Sequence, residues 1–400
     1  MSYFKIPSNL NININENTYK LILKEKDSEE TNQVCSYNLS NYLKSTKKKI
    51  DKVYKYWDQM KIYTNPYEFI HTNIPNNNIS ISKYKPISRA FYKLLEIYNM
   101  FHIVDYKNPI KTFHLAEGPG GFIEATMFLR KNKKDTYYGM TLLDDKKNTP
   151  GWKKSINFLE KYPNIVLESG IDKTGNLFNE ENFKNCCQKY NDSFEIITAD
   201  GGIDFSNDFN NQETMASRLL LTQVFYALSM QKKDGTFILK IFDIFNKISI
   251  DIVYLLSYYY KTVFIIKPNT SRYANSEKYI VCMSFKNALD INVKKKFYGI
   301  LKILNNINNN DFNIASILNL KQNLYFLNII QEINHILGQR QIENILYTIK
   351  LIENKEQYRD RIEKMKNLNI QRSIKWCNEN NIETNKIKDI VNTRNIFLNN

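Results

Sequence analysis

The segment His114–Phe122 (HLAEGPGGF) begins within a short apolar stretch, Lys111–Ala116, and leads into the helical pattern of Phe122–Arg130. In open α/β sheets, a glycine turn between a strand and a helix lies where ligands bind, at the carboxyl end of the strand. Glycine tolerates positive φ and lets the backbone approach a ligand closely. The spacing is not G-x-G-x-x-G, which disfavours a dinucleotide site, and no P-loop motif is present. An ordinary strand–helix turn is the alternative interpretation at this point.

Helices and strands alternate on both sides of this turn, between Ser88 and Phe285. The predicted helices are Ser88–Asn99, Phe122–Arg130, Thr214–Met230 and Ile248–Tyr260, and the predicted strands are Lys111–Ala116, Thr136–Leu143, Phe194–Ala199, Thr236–Phe242, Thr262–Lys267 and Lys278–Phe285. This alternation predicts an α/β fold with a doubly wound, mostly parallel sheet.

The two ends of the chain differ in composition from this central part. Residues 1–34 are polar and rich in asparagine, which predicts a mobile or loosely packed arm, and residues 36–62 have helical spacing. After about residue 290 glycine nearly vanishes, and we predict a helical region. The predicted divisions are an N-terminal arm and helix (1–75), an α/β domain (76–290) and a helical C-terminal region (291–400).

Composition restricts the class of protein. The 400 residues carry a net charge of +15, which favours a polyanionic partner such as nucleic acid or an anionic membrane. The alternative explanation is an AT-rich genome, which enriches a protein in Asn, Lys, Ile and Tyr without any functional reason. The five cysteines contain no C-x-x-C and the four histidines lack metal-site spacing, so we expect neither disulfides nor bound metal. With no signal-peptide pattern and no apolar run near about 20 residues, we expect a soluble intracellular protein.

Four charged residues fall near the edge where a parallel sheet presents its ligands. Asp200 ends the strand FEIITA, Lys240 lies at the end of TFILK, Glu277 opens the last predicted strand, and Lys93 lies on the helix before the first strand. Lys240 follows apolar and β-branched residues, a setting that requires an anionic partner or a cleft. Taken singly, Lys93 could be a solvated helix lysine, Asp200 a turn cap and Glu277 half of an exposed pair with Lys278. Their joint occurrence favours a functional cluster.

These residue types suit proton removal from a hydroxyl group. A GPGG turn after a strand resembles the S-adenosylmethionine (AdoMet) turn of class I methyltransferases. A ribose 2′-hydroxyl is a poor nucleophile until its proton is removed, and a lysine can act as the base if its pKa falls well below about 10.4. A second lysine and partial desolvation lower such a pKa, and carboxylates orient the amines. AdoMet carries its own leaving group, so the reaction needs no metal.

The chain resembles the FtsJ-like ribose 2′-O-methyltransferases, and most closely the cap-specific mRNA (nucleoside-2′-O-)-methyltransferases of eukaryotes and large DNA viruses. The matching segments occur in order as SRAFYKL, ITADGG, ILKIFDIF and SRYANSEKYIVC, and YGMTL and GIDKTGNL are also similar. The resemblance covers roughly residues 65–285. It implies a Rossmann-like class I AdoMet-dependent methyltransferase with a Lys-Asp-Lys-Glu tetrad formed by Lys93, Asp200, Lys240 and Glu277.

The resemblance also implies residue roles. Lys240 would be the base, with the other three members of the tetrad tuning and orienting it. The residues that would contact AdoMet are Ser88, Ala116, Glu117, Gly118, Pro119, Gly120, Gly121, Phe122, Asn176 and Leu177. The residues that would contact capped RNA are Lys61, Asn210 and Asn275. Glu117 and Ser88 depart from the family, which usually has a small residue and an asparagine there.

The implied reaction is methylation of the ribose 2′-hydroxyl of the first transcribed nucleotide. Capped mRNA is the expected partner, together with other capping enzymes or RNA polymerase, and no membrane is expected. The expected location is the cytoplasm (a viral factory or the virion) for a viral chain and the nucleus for a cellular one. A methyltransferase for ribosomal or transfer RNA and a catalytically silent RNA-binding subunit of a capping complex are the alternatives. Basic runs at Ser45–Lys52, Arg130–Lys134 and Asn292–Phe297 could follow an RNA backbone, although a solvated helix face is the commoner meaning of each.

Overall fold

A computed structural model of the chain describes residues 2–8, 13–26, 35–144, 150–202, 210–307 and 311–386. Parts of the predicted N-terminal arm and of the predicted helical C-terminal region, including residues 387–400, lie outside the described residues. The chain forms two compact units. The first comprises residues 1–52 and 87–346, and the second comprises residues 53–86 and 347–400.

The described residues of the first unit form the strands β1 (Ser2–Ile6), β2 (Tyr19–Glu25), β3 (Lys111–Leu115), β4 (Thr136–Met140), β5 (Ile165–Glu168), β6 (Phe194–Ala199), β7 (Gln231–Ile241), β8 (Tyr260–Lys267), β9 (Lys278–Phe285) and β10 (Phe312–Leu318). Eight of them form the main sheet, in the order β1-β8-β9-β7-β6-β3-β4-β5, and β2 and β10 form a separate two-stranded sheet. Strands β3 to β7 pair in parallel, β9 is antiparallel to β7 and β8, and β1 is antiparallel to β8. The predicted α/β class with a mostly parallel sheet is confirmed.

The described helices connect and flank these strands. They are α1 (Tyr37–Lys48), α2 (Tyr54–Thr64), α3 (Ala90–Phe101), α4 (Gly121–Arg130), α5 (Ile156–Lys161), α6 (Glu180–Lys189), α7 (Gln212–Met230), α8 (Lys247–Tyr259), α9 (Ile291–Asn306), α10 (Leu324–Glu353) and α11 (Arg359–Glu379). Central strand β7 has Phe237, Ile238 and Leu239 fully buried in succession, as expected where helices cover both faces of a sheet. On one face, the rings of Phe225 on α7 and Phe297 on α9 stack 3.8 Å apart.

The second unit is smaller and mainly helical. The hydroxyl groups of Thr64 on α2 and Thr348 on α10 are hydrogen-bonded at 2.8 Å. Asn369 on α11 donates from Nδ2 to the carbonyl oxygen of Tyr63 at 2.7 Å. These bonds join α2 to the C-terminal helices, so segments nearly 300 residues apart in sequence form one unit.

The described part of the N-terminal region contains paired strands, which corrects the expectation of a mobile or loosely packed arm. The described part of the predicted loose arm includes β1, which pairs with β8 at the edge of the main sheet. It also includes β2, which pairs antiparallel with β10, a strand within the C-terminal region whose predicted helical character is confirmed by α9, α10 and α11. Local sequence patterns missed this pairing because the two partners lie far apart in the chain. The short elements β5, α5 and α6 were also missing from the prediction.

Within the described part of the chain, no helix has the length and apolar character needed to cross a bilayer. Nor do three or more His, Cys, Asp or Glu side chains come together there as possible metal ligands. All five cysteines are free thiols.

Candidate active site

The sheet topology brings distant segments to one edge. Strands β3, β6 and β7 are parallel neighbours, so the glycine turn after β3, Asp200 after β6 and Lys240 near the end of β7 lie at the same edge. Strand β9 runs in the opposite direction beside β7, with Tyr279 opposite Lys240. The start of β9, and Glu277 immediately before it, therefore reach this edge too.

The four predicted catalytic residues form two ion pairs there. Lys93 donates from Nζ to Glu277 Oε2 at 2.7 Å. Lys240 donates from Nζ to the carbonyl oxygen of Asp200 at 2.7 Å and lies 3.3 Å from its Oδ1. The lysine side chains of the two pairs are only 8% and 11% exposed. The structure thus brings together the residues that the sequence placed in one cluster, and their catalytic role stays a prediction.

The charges in this cluster act on one another. Burial lowers the pKa of Lys93, while the neighbouring Glu277 carboxylate opposes that shift. Burial alone would raise the pKa of Glu277, but the ammonium groups of Lys93 and Lys240 outweigh it and hold that pKa well below its ordinary value. The Glu277 carboxylate therefore stabilises the charged form of the buried Lys93 side chain.

Two hydroxyl groups fix the carboxylates, and the sequence interpretation missed both. Tyr279 donates from its hydroxyl to Asp200 Oδ1 at 2.9 Å, and Ser271 donates to Glu277 Oε1 at 2.9 Å. Glu277 and Tyr279 are two residues apart at the start of β9, a spacing that places side chains on one face of an extended chain. That spacing could have identified Tyr279. Ser271 lies in the loop before β9, where no periodicity points to it.

A further buried lysine, also missed, holds the loop that carries Glu277. Lys267 ends β8, and its Nζ donates to Asn275 O at 2.6 Å, Asn275 Oδ1 at 2.7 Å and Glu277 O at 2.8 Å. Burial lowers the pKa of Lys267 well below its usual value. Asn275, predicted to contact substrate, therefore has its side-chain oxygen engaged by Lys267 within the loop.

The turn after β3 has the tight geometry expected of a ligand cradle. A Cβ atom on Gly118 would lie 2.6 Å from the carbonyl oxygen of Gly151, and one on Gly121 would lie 2.2 Å from Ser88 Oγ. Gly120 has a φ of +114°, which L side chains rarely adopt. Ser88 Oγ is buried and has no hydrogen-bond partner among the described residues. A polar atom of this kind, beside a glycine, suits contact with a polar ligand.

Glu117 has a structural bond within the same turn. Its Oε1 accepts hydrogen bonds from the backbone N–H groups of Phe122 at 2.8 Å and Ile123 at 2.9 Å, in the first turn of α4. Burial raises the pKa of Glu117 to about 8 despite these bonds. Glu117, which departs from the family pattern, thus caps α4, the helix that begins at the turn.

The predicted residues Asn176 and Leu177 lie on a loop that borders the end of β4. Leu143, just beyond β4, donates from its backbone N–H to Thr174 O at 2.7 Å. A Cβ atom on Gly175 would lie 1.9 Å from Thr141 O, so this loop contacts the segment after β4 closely. Because β4 is the parallel neighbour of β3, the loop lies at the sheet edge that carries the glycine turn.

The remaining substrate predictions fall at two places. Asn210 lines a polar cavity in the first unit together with Lys44, Lys47 and Asp243. Lys61 lies on α2 in the second unit and forms an ion pair with Asp58. Nothing in these positions tests a contact with RNA, and both roles stay predictions.

A mostly parallel sheet, a glycine cradle after β3 and a Lys-Asp-Lys-Glu cluster at the same edge define a Rossmann-like methyltransferase. The chain belongs to the FtsJ-like methyltransferase family, whose sequence model matches residues 86–285. The family predicted from the sequence motifs is confirmed.

Relatives with assigned names are consistent with this membership. The chain is 31% identical over 258 residues to cap-specific mRNA (nucleoside-2′-O-)-methyltransferase 1 of Dictyostelium discoideum, covering 60% of this chain and 34% of that protein. It is 35% identical over 214 residues to the human protein of the same name, covering 52% of this chain and 25% of that protein. The chain thus spans about a third or a quarter of the length of these relatives. A solved structure of a putative ribosomal RNA methyltransferase from Plasmodium falciparum covers 50% of this chain and 97% of its own, with 20% identity and a TM-score of 0.36.

Proposed function

We propose that the chain transfers a methyl group from AdoMet to the ribose 2′-hydroxyl of the first transcribed nucleotide of capped mRNA. The observation that carries this proposal is the cluster of two lysines and two carboxylates at the sheet edge that bears the glycine cradle. The names of the relatives support the choice of capped mRNA. We propose capped mRNA as the main partner, and other capping enzymes or RNA polymerase as protein partners.

The described residues fit AdoMet as the cofactor, which supplies an activated methyl group on a sulfonium. The Ala116–Phe122 turn would hold it, with Ser88 Oγ as a hydrogen-bonding atom and Asn176 and Leu177 on the adjacent loop. A side chain at Gly118 would collide with the carbonyl oxygen of Gly151, and one at Gly121 would collide with Ser88 Oγ, so the turn requires glycine at both positions. Glu117 would shape the turn through its cap on α4.

Lys240 would take the proton from the 2′-hydroxyl. Its Nζ is held on one side by Asp200, which Tyr279 orients in turn, so the amine has a fixed direction at the end of β7. A positioned base of this kind typically contributes about 10² to 10⁴ in rate. Lys93, paired with Glu277, adds a second positive charge that favours the developing oxyanion.

The test is methylation of short RNAs that differ only in the presence of a 5′ cap, with mass spectrometry to locate the new methyl group. We expect methylation of the capped RNA at the first ribose, and its loss in Lys240→Ala. Lys232→Ala is the matched control, because Lys232 lies on the same strand, more than half exposed, and should keep full activity. Full activity of Lys240→Ala would contradict the mechanism.

The same experiment separates the two alternatives. Equal methylation of capped and uncapped RNA would favour an enzyme for ribosomal or transfer RNA. RNA binding with no turnover of any RNA, in a preparation that binds AdoMet, would favour a catalytically silent subunit.

A further inference from the structure

Helix α1 carries a polar stripe that the proposed chemistry does not use. Tyr37, Asn41, Lys44 and Lys48 follow one another at spacings of four, three and four residues, so they share one face of the helix. Tyr37 is 55% exposed, Asn41 and Lys48 are also exposed, and Lys44 is partly exposed. No carboxylate pairs with either lysine in the described part of the chain. The stripe extends over about 16 Å at 1.5 Å per residue.

The adjoining face of α1 packs against other elements of the first unit. Leu43 packs in an apolar cluster with Phe245, from the loop after β7, and Ile342 on α10. Lys47, only 10% exposed, pairs with Asp243 at 3.4 Å. The stripe is therefore held in one orientation by buried contacts rather than presented on a loose arm.

Asp243 connects this helix to the catalytic edge. It lies three residues after Lys240, and its Oδ1 accepts from Lys278 Nζ at 3.1 Å. Lys278 directly follows Glu277 and also donates to the carbonyl oxygens of Phe242 and Ser276, both at 3.0 Å. Burial would raise the pKa of Asp243, but the ammonium groups of Lys278 and Lys47 outweigh it and lower that pKa, which favours a charged carboxylate between the two lysines.

The cavity beside this connection is lined by α1 and by the loop that follows β7, the strand that carries Lys240. Lys44 lines it together with Lys47, Asp243 and Asn210. Lys44 is the residue of the stripe that lines this cavity, and Lys48 lies one helical turn further along α1. Two lysines one helical turn apart suit successive phosphates, and an exposed tyrosine suits stacking of an unpaired base.

We propose that the α1 stripe binds the single-stranded RNA that adjoins the methylated nucleotide. This inference rests on the proposed function, because it assumes that RNA is the substrate at Lys240. Lys44 and Lys48 contact phosphates, and Tyr37 stacks on a base at the far end of the stripe. The contact is independent of sequence, because phosphates and base faces carry no sequence code.

The test is RNA binding by fluorescence anisotropy as a function of salt, with a capped single-stranded RNA of about 12 nucleotides and no AdoMet. In Lys44→Gln/Lys48→Gln we expect roughly tenfold weaker binding at low salt. We also expect the slope of log K against log salt to fall by about 1.4, since each phosphate contact contributes about 0.7 on a single strand. Tyr37→Leu should weaken binding of single-stranded RNA and leave the salt slope unchanged, because stacking involves no charge.

Lys302→Gln/Lys321→Gln is the matched control, because it removes the same charge from two exposed lysines, one on α9 and one in the loop before α10, outside the basic runs. Its slope and affinity should match those of the wild type. An equal loss in both double variants would mean that only overall charge matters, and would overturn the proposal. So would an unchanged slope in the α1 variant, or no RNA binding by the wild type.

The methylation assay and the RNA-binding assay distinguish failure of the proposed reaction from failure of the proposed RNA-binding stripe. If the wild type binds RNA through the stripe but methylates no capped RNA, the proposed reaction is wrong and the RNA-binding surface stands. If capped RNA is methylated and the α1 variant binds as the wild type does, the stripe is wrong and the reaction stands.

Discussion

Replacing Glu277 by glutamine removes one charge and almost no volume from the catalytic cluster. The Lys93–Glu277 pair is separated by 2.7 Å, and its side chains are 8% and 12% exposed. At that distance and an effective dielectric constant of about 20, the attraction is about 6 kcal/mol, part of which repays the desolvation of both groups. Removing one partner of such a buried pair leaves a charge unpaired, and we expect Glu277→Gln to destabilise the first unit by about 3 kcal/mol at pH 7.

The loss should depend on pH. Without the Glu277 carboxylate to oppose the effect of burial, the pKa of Lys93 falls further. At pH values between that folded-state pKa and the unfolded-state pKa of about 10.4, the unfolded chain binds more protons than the folded chain. Stability rises with pH in that window, because the buried amine then loses its charge. The difference between variant and wild type should therefore shrink from pH 7 to pH 9.

The assay is thermal unfolding followed by intrinsic fluorescence, where about 3 kcal/mol corresponds to a fall of about 6 °C in the midpoint. The control is Glu383→Gln, because the Lys83–Glu383 pair has a nearly equal separation of 2.8 Å but is exposed to solvent. That variant should unfold as the wild type does, since solvent screens exposed pairs. Equal midpoints for both variants at pH 7, or a difference that grows towards pH 9, would refute the reasoning.

Three further substitutions test the groups around the cluster. Lys267→Met removes the ammonium donor that holds the loop carrying Glu277, so kcat should fall at least about tenfold. The affinity for AdoMet, measured by titration calorimetry, should stay within about threefold of the wild-type value. A parallel loss of kcat and AdoMet affinity would instead indicate general misfolding. Tyr279→Phe removes a hydrogen bond to the Asp200 carboxylate worth about 1.5–3 kcal/mol, so kcat should fall about tenfold or more, and unchanged kcat would show that Asp200 is held without it. Because burial raises the pKa of Glu117 to about 8, the folded chain binds more protons than the unfolded chain between about pH 4.5 and pH 8, and stability falls as pH rises through that range. Glu117→Gln should remove this decline and raise the unfolding midpoint at pH 8, whereas a lower midpoint would mean that the carboxylate itself is needed.

Local patterns were sufficient for the elements nearest the site. The predicted strand Lys111–Ala116 corresponds to β3, and the predicted helix Phe122–Arg130 corresponds to α4, each within one residue of its predicted bounds. Strands β6 and β9 agree with their predicted bounds. These elements were readable because buried parallel strands are continuous apolar runs and glycine marks the turns between them.

The strands at the edges and in the extensions of the fold could not be predicted from local sequence patterns in the same way. Strand β2 has a short mixed pattern, and its partner β10 lies almost 290 residues later, so only the folded chain shows that they pair. Strand β5 has four residues, too few for a reliable period. Elements that depend on distant partners leave weak signals, because the stabilising contact is absent from the local sequence.

The sequence alone determined the fold class, the glycine cradle and the identity of the four charged residues, because strand periodicity, glycine placement and motif order are local properties of the chain. Tertiary structure alone decided which carboxylate pairs with which lysine: Glu277 with Lys93, and Asp200 with Lys240. It alone revealed Lys267, whose three acceptors lie in the loop before β9. Pairing of charges depends on distance and burial, and both are set only when parallel strands bring their ends to a common edge.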